Sequence, residues 1–425
     1  MLEYLHYNSL VINIAVEKET IIQENKKPAL ILKLLPLFIL AHFSHHLVSS
    51  LLTPLMPLIR EEFTLSYAQA GWLSSAFLLA YGAGQLPGGW LADRISPRLL
   101  VTIGISGVSL AGLMAGLAPN YILLATALVL LGLLGGGYHP SAAPLISAAV
   151  EPEKRGRSLG LHQIGGTASY FLGPLIAGVL SVYGWRISFI GVAVPTIALG
   201  LMLYMILGRL GITGKTRSSK KTIDQTNTEE EAPGQKRHMI SFMSLSVIGK
   251  ALIVGVITFI PMFIVDNFGV GEVTLGGLLF KAGGLLSIVY LGGLWAGPLG
   301  GYLSDRLGKV RVLVVVSLIT GPVIYLLNLA SFGLSLFVVL ASIGTCMHMM
   351  MPTSESYIIS HSPEHRRSTI LGIYYFGSRG GPGLVTPILG YLIDKFGFNY
   401  AFTMAGALLI AVTFICSIFL RGAKD

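Results

Sequence analysis

The chain has 425 residues, of which 53% are hydrophobic and only 12% are charged, and its formal net charge at pH 7 is +9. The charged fraction is half of the roughly 25% that soluble domains carry, so the composition excludes an ordinary soluble domain and indicates an integral membrane protein. The basic residues are spread over many polar segments, which predicts contact with anionic lipid headgroups and no nucleic-acid binding.

Twelve apolar blocks follow one another along the chain, and each reaches roughly the 20 residues needed to cross about 30 Å of hydrocarbon. They cover residues 30–59, 67–92, 98–118, 121–150, 157–183, 187–210, 240–265, 274–303, 310–329, 332–358, 368–393 and 397–420. Several blocks are rich in Gly and Pro, which membrane helices tolerate because neighbouring helices satisfy the freed backbone groups. The predicted fold class is therefore an all-α membrane protein with twelve transmembrane helices.

The distribution of Lys and Arg predicts the orientation of these helices. Of the 29 basic residues, 23 fall in segments on the side of the N-terminus, 3 on the opposite side and 3 within the spans. Short cytoplasmic segments carry an excess of Lys and Arg, so both termini are predicted to be cytoplasmic, in the cytoplasmic membrane of a prokaryote. Residues 1–29 lack the features of a secretory signal, and we interpret them as a cytoplasmic extension. Cys346 and Cys416 both fall inside spans, which predicts neither a disulfide nor a thiolate metal site.

The first span carries polar residues at helical spacing. His42, His45, His46, Ser49 and Thr53 recur at intervals that place them on one face of a helix, which we expect to line a cavity. Imidazoles titrate near neutral pH, so proton coupling or substrate hydrogen bonding is one interpretation, and structural bonds between helices are another. The pair His42 and His46 could also ligate a metal, but no carboxylate or thiolate cluster accompanies them. We therefore predict no metal site and no cofactor.

An internal repeat links the two halves of the chain at a constant offset of 212 residues. The matching pairs include Gly71 and Gly283, Gly89 and Gly301, Asp93 and Asp305, Arg94 and Arg306, Pro140 and Pro352, Gly165 and Gly377, and Gly178 and Gly390. We therefore predict an N-terminal half over 30–210, a polar cytoplasmic linker over 211–239, a C-terminal half over 240–420 and a tail over 421–425. Six spans per half preserve the direction of the chain, so an axis along the membrane normal should relate the halves. A substrate would then bind between them near the midplane, with alternating access by rocking.

The repeated loops carry a family resemblance. Gly89-Trp90-Leu91-Ala92-Asp93-Arg94 and Gly301-Tyr302-Leu303-Ser304-Asp305-Arg306 resemble the signature loop between the second and third helices of each half in the major facilitator superfamily. The resemblance covers about residues 30 to 420. It implies that Gly89, Asp93, Arg94, Gly301, Asp305 and Arg306 form a gating latch of the outward-facing state.

Two further motifs resemble branches of the same superfamily. The segment from Gly165 to Gly178, with Gly173 and Pro174, resembles the fifth-helix motif of antiporters, although ordinary close helix packing explains it equally well. The Gly-rich run that ends in Tyr138-His139-Pro140, with Leu161-His162-Gln163, resembles the fosmidomycin-resistance branch of efflux carriers. Ser141 stands where that branch tends to have Glu, and the fourth-helix arginine of many drug/proton antiporters is absent, which leaves the drug specificity and that proton route open.

The second half places charged residues inside predicted spans: Lys250, Lys281, Glu355 and Arg379. Unpaired charge within a bilayer is costly, so three cations against one carboxylate favour an anionic substrate that neutralises the excess. The planar guanidinium of Arg379 suits a carboxylate, phosphate or phosphonate, and Lys281 would supply a second charge. Snorkelling or loss of a proton by these cations is the alternative. Glu355 and Lys250 are candidates for a pair that breaks and re-forms during transport.

The predicted function is secondary active transport of a small organic anion or an amphipathic drug-like compound, coupled to protons, with efflux favoured by the resemblance. The substrate-binding or coupling candidates are His42, His45, His46, His139, Lys250, Lys281, Glu355 and Arg379. The alternative is a membrane receptor or scaffold that does not transport. The sequence shows neither a nucleophile paired with a base nor a nucleotide-binding loop, so we do not expect an enzyme. We expect a monomer in the lipid bilayer.

Overall fold

A computed structural model of the chain describes residues 34–92, 94–148, 155–210, 235–268, 275–363 and 367–423. The predicted N-terminal extension and most of the predicted linker lie outside these ranges. Within the described ranges the secondary structure is helical, without a β-strand.

The N-terminal half contains six membrane-spanning helices. They are α1 (Leu34–Glu62), α2 (Tyr67–Ala92), α3 (Pro97–Gly116), α4 (Tyr121–Gly135 and Tyr138–Ala148), α5 (Arg155–Leu180) and α6 (Trp185–Arg209). Helix α3 includes one turn of π-helix, Ile103–Gly107, and α4 is interrupted at the glycine pair Gly136 and Gly137.

The C-terminal half repeats this arrangement. Its helices are α7 (Gln235–Phe268), α8 (Leu275–Leu291 and Gly293–Leu307), α9 (Lys309–Leu326), α10 (Leu334–His361), and α11 and α12, which form the continuous run Arg367–Phe419. Gly397, with φ of +80°, divides that run into two helices. Helix α7 begins at Gln235, so its first five residues belong to the segment expected as a linker.

The described helices account for all twelve predicted spans. Nine runs are long and apolar enough to cross a membrane, and the run Thr369–Phe419 contains both α11 and α12. Helices α2 and α4 complete the set. Large apolar side chains on the outside, such as Leu334 at 78% exposure and Ile122 at 68%, are positioned to contact lipid. The prediction of an all-α bundle with twelve spans is confirmed.

The two halves meet along α2 with α11 and along α5 with α8. At the start of α2, both carboxylate oxygens of Asp394 accept backbone N–H groups, from Tyr67 at 2.8 Å and Ala68 at 2.8 Å. Deeper in the same interface, a Cβ added to Gly82 would lie 2.8 Å from the Cα of Gly380. Such contacts require small residues, because the backbones approach closely. The halves therefore close on the face that carries Asp394 and the start of α2.

Candidate functional site

A cavity of about 450 Å³ lies between the halves, with walls from α1, α2, α4 and α5 on one side and α7, α8, α10 and α11 on the other. Positions related by the offset of 212 face it from both halves. These pairs include His42 and Val254, His46 and Thr258, His139 and Met351, and Thr167 and Arg379. The repeat thus places corresponding positions on opposite walls, and their side chains differ, so the walls differ in chemistry.

Six of the eight candidates for substrate binding or coupling line this cavity: His42, His46, His139, Lys250, Glu355 and Arg379. Ser49 and Thr53, predicted on the same face of the first span, line it as well. Lys281 belongs to α8, but its side chain lies outside the described part of the protein.

The histidines of the N-terminal half form a compact cluster. His46 Nε2 lies 3.2 Å from His139 Nε2, and His46 Nδ1 lies 3.2 Å from the Tyr170 hydroxyl. His42 Nδ1 donates to the His162 carbonyl at 2.9 Å, and the imidazoles of His42 and His162 stack with centroids 4.3 Å apart. The buried Nε2 atom of His42 has no hydrogen-bond partner.

The local sequence explains how these rings come together. His42 and His46 lie one helical turn apart on α1, and His139 is the second residue of the α4 segment that follows the glycine interruption. Gly166 of α5 faces them: a Cβ at that position would lie 2.7 Å from His42 Cε1 and 3.2 Å from His46 Cδ2. The absence of a side chain at Gly166 therefore makes the room that the two imidazoles occupy.

His45 has a different environment from its neighbours on α1. Its side chain is fully buried, and its Nδ1 donates to the Gly104 carbonyl at 2.6 Å, inside the π-helical turn of α3. A π-turn disrupts the regular ladder of backbone bonds, and His45 satisfies one of its carbonyls. The structure therefore places His45 behind the cavity wall, where it joins α1 to α3, and not on the polar face expected to contact substrate.

Charged groups occupy the wall of the C-terminal half. The Arg379 guanidinium lies beside the Tyr170 hydroxyl, and the Glu355 carboxylate lies beside the Tyr375 hydroxyl. One oxygen of Glu355, Oε1, is buried without a hydrogen-bond partner. Among the described residues the ion pair within 4.0 Å is that of Arg186 with Glu62, so Lys250 and Glu355 are not paired in this conformation.

Several residues of the site are absent from the sequence-based candidates. His162 and Tyr170 of α5 hold the histidines, and Tyr290 of α8 stacks on Tyr170 with centroids 5.5 Å apart. His162, Gly166 and Tyr170 recur at intervals of four, so they share a face of α5. That periodicity is the sequence signal that could have indicated these residues, but the same periodicity also occurs in ordinary helix packing.

The residues of the predicted latch lie at the ends of α2 and α8. Arg94 donates to the Trp90 carbonyl at 3.2 Å and lies over the Trp90 ring, while Arg306 lies over the Tyr302 ring. Asp305 is exposed and has no hydrogen bond or ion pair to any described residue. Gly89 and Gly301 lie in α2 and α8, and Asp93 lies outside the described residues. The contacts of Arg94 and Arg306 with described residues lie within their own helices, so the latch stays a prediction.

The glycine motif of α5 packs against two neighbouring helices. A Cβ at Gly165 would overlap the Ile39 carbonyl of α1, and one at Gly173 would overlap the Ser50 hydroxyl. On the other side, the Pro174 carbonyl and Gly178 lie against Gly283 of α8. These contacts account for the small residues by close helix packing within and between the halves.

A helical bundle of two halves with a polar cavity between them is the architecture of multi-pass membrane carriers. The sequence model of the Major Facilitator Superfamily matches residues 38–296 and 239–425, so the chain belongs to this superfamily of transporters and is not an enzyme.

Relatives with assigned names are transporters. The chain is 25% identical over 368 residues to the multidrug resistance protein MdtG of Proteus mirabilis, covering 85% of this chain and 89% of that protein. It is 26% identical to the probable sulfoacetate transporter SauU of Cupriavidus necator, covering 86% and 88%. A probable L-galactonate transporter of Escherichia coli is 34% identical over 149 residues, which cover 35% of this chain and 33% of that protein.

Solved structures share the fold. A bacterial homologue of the human lysosomal transporter Spinster superimposes with a TM-score of 0.69 at 19% identity, over 92% of this chain and 94% of the other. The peptide transporter POT in complex with sulfate gives a TM-score of 0.72 at 16% identity, over 91% and 94%.

Proposed function

We propose that the chain is a proton-coupled secondary transporter of a small organic anion with an apolar body. The observation that carries the proposal is the charge of the cavity. Lys250 and Arg379 face it with one carboxylate, Glu355, and no ion pair joins these three groups among the described residues. A formal excess of positive charge within a bilayer is costly, and a bound anion would neutralise it.

The walls support an anion that is also apolar. Leu52, Phe77, Ile257 and Met347 line the same cavity as the charged groups. Binding sites for small molecules combine such apolar walls with a few polar groups that fix orientation. The names of two relatives, the probable sulfoacetate and L-galactonate transporters, also denote organic anions. MdtG is named a multidrug resistance protein, a name that specifies no charge.

Arg379 is proposed to hold the anionic group of the substrate through its planar fork, with Lys250 as a second charge. Glu355 is proposed to carry the proton. When Glu355 is ionised it competes with the substrate for the two cations, and when it is protonated the cavity gains one positive charge. Protonation then strengthens anion binding, so a proton and the anion move together. Export in exchange for protons, which the sequence resemblance implies, requires instead that protonation weaken the binding of the anion.

Binding measurements on the purified protein test both the anion site and the sign of coupling. Sulfoacetate and octanoate serve as probes, because the first is a polar anion and the second joins a carboxylate to an apolar body. Arg379→Gln is the variant, and Lys395→Gln is a control that removes the same charge from an exposed position near the membrane surface. We expect Arg379→Gln to weaken binding at least tenfold, since charge-assisted bonds are worth about 1.5–3 kcal/mol, and Lys395→Gln to leave it unchanged. Equal binding by both variants would contradict the anion site.

The pH dependence separates the two coupling schemes. Co-transport predicts tighter binding of the anion as pH falls, and Glu355→Gln, which mimics the protonated carboxyl, should bind tightly at every pH. Weaker binding at low pH in the unaltered protein would instead establish exchange of the anion for protons. Counterflow in proteoliposomes under an imposed pH gradient then measures whether the anion moves in the same direction as the proton or in the opposite direction.

A further inference from the structure

The three histidines of the N-terminal wall carry an inference that is independent of the transported anion. His42, His46 and His139 each offer one ring nitrogen, and these three atoms lie within 4.8 Å of one another. We propose that they bind a divalent transition metal of the Zn²⁺ class, with a fourth coordination position open to the cavity.

The geometry is close to that of a three-histidine site. Zn–N bonds of about 2.0–2.1 Å in a tetrahedral centre place neighbouring nitrogens about 3.4 Å apart. The separation of 3.2 Å between His46 Nε2 and His139 Nε2 already matches one such edge. The distances from the His42 nitrogen to the other two nitrogens are at most 4.8 Å, and rotation of the rings can shorten them to the distance that a metal requires. Imidazole nitrogens suit Zn²⁺, Cu²⁺ and Ni²⁺, so Zn²⁺ is the natural probe.

The surroundings of the rings supply what metal-bound histidines require. Such a histidine usually donates its second ring nitrogen to a carbonyl or another polar group, which fixes the tautomer and the orientation. His42 Nδ1 donates to the His162 carbonyl, and this bond leaves Nε2 as the nitrogen with a free lone pair. His46 Nδ1 lies 3.2 Å from the Tyr170 hydroxyl, and the tautomer with the proton on Nδ1 donates to this oxygen and leaves Nε2 free to bind a metal.

The state of His42 Nε2 is an independent sign of a ligand. His42 is only 2% exposed, and this nitrogen is buried without a hydrogen-bond partner. A buried polar atom that lacks a partner is destabilising, so its presence calls for a reason. A metal ion bound between the three rings would satisfy it.

The charge of the opposite wall shapes the chemistry of this site. Arg379 and Lys250 line the same cavity and repel a cation bound by the histidines. An anion between the two walls reduces that repulsion, and its oxygen is suited to the open fourth position. The metal affinity should therefore rise when Arg379 is replaced by a neutral residue.

Titration of the purified full-length chain, prepared without a polyhistidine tag, tests the site with Zn²⁺ alone. We expect one ion per chain by calorimetry, and with Co²⁺ the visible absorption of a tetrahedral centre. His42→Ala, His46→Ala and His139→Ala should each weaken binding at least about tenfold. His348→Ala is the matched control, because His348 also lines the cavity but belongs to the opposite wall.

Further variants keep the test independent of folding and of transport. His139→Cys retains a metal donor and should bind Zn²⁺ more tightly than His139→Ala, and thermal unfolding checks that each variant is folded. Arg379→Gln should tighten Zn²⁺ binding about tenfold through loss of repulsion, even though it weakens anion binding. Absence of saturable Zn²⁺ binding, or equal binding after replacement of all three histidines, would overturn the metal site and leave the anion proposal unaffected.

Discussion

Asp394 closes the face that carries the start of α2, and its removal should shift the transporter toward the conformation that is open on that face. Its two oxygens accept the Tyr67 and Ala68 N–H groups, both at 2.8 Å, at the N-terminus of α2. The positive end of the α2 dipole adds to this attraction, because an anion is favoured at a helix N-terminus. The bonds join the C-terminal half to the N-terminal half, so they exist only while that face is closed.

The magnitude follows from the two bonds. A hydrogen bond to a charged group contributes about 1.5–3 kcal/mol net, and Asp394 is exposed, so the pair together should contribute about 2 kcal/mol. Loss of about 2 kcal/mol changes the equilibrium between closed and open conformations about 30-fold. Asp394→Asn keeps one oxygen acceptor and should show a smaller shift than Asp394→Ala.

Electron-paramagnetic-resonance distances measure the shift directly. Spin labels at Tyr183 and Leu334, which are 74% and 78% exposed and belong to different halves, report the separation on this face. Cys346 and Cys416 are first replaced to prevent labelling at native positions. The long-distance population should grow in Asp394→Ala and stay unchanged in the neighbouring control Lys395→Gln. Identical distance distributions for Asp394→Ala and the unaltered chain would refute this account of the closed face.

Two further predictions concern the packing of helices. In Gly82→Val the added Cβ would lie 2.8 Å from Gly380 Cα, so the substitution should separate α2 from α11 and reduce transport severely. Unchanged transport rates in proteoliposomes would contradict the observed interface. Glu62→Gln weakens the contact with Arg186. The Arg186 side chain is 31% exposed and that of Glu62 is 43% exposed, so thermal unfolding should show that the free energy of unfolding falls by about 1 kcal/mol or less, with transport intact. A large loss of stability would mean that the Trp185 Nε1 bond to Glu62, at 2.6 Å, contributes more than its exposure suggests.

The sequence was sufficient to predict the twelve spans, because the length of an apolar helix must match the thickness of the hydrocarbon. The repeat at an offset of 212 was equally informative. It predicted a binding site between the halves, and the corresponding positions Thr167 with Arg379 and His42 with Val254 line a cavity there. These properties depend on local composition and on position along the chain, which a single sequence displays in full.

The partners within the site depended on tertiary structure. The periodicity of α1 placed His45 on the same face as His42 and His46, yet His45 bonds to the Gly104 carbonyl in the π-turn of α3 and does not line the cavity. No spacing rule connects His46 to His139, which lies 93 residues further along the chain.

The sequence by itself determined a two-half membrane transporter, a polar first helix and charged residues in the second half. The tertiary structure decided that His139 completes a three-histidine cluster, that Tyr170 lies between this cluster and Arg379, and that Asp394 joins the halves. The physical reason is that helical periodicity fixes which residues share a face. The depth and rotation at which two helices cross are instead set by close contacts such as those of Gly166 and Gly82, and those contacts exist only in the folded chain.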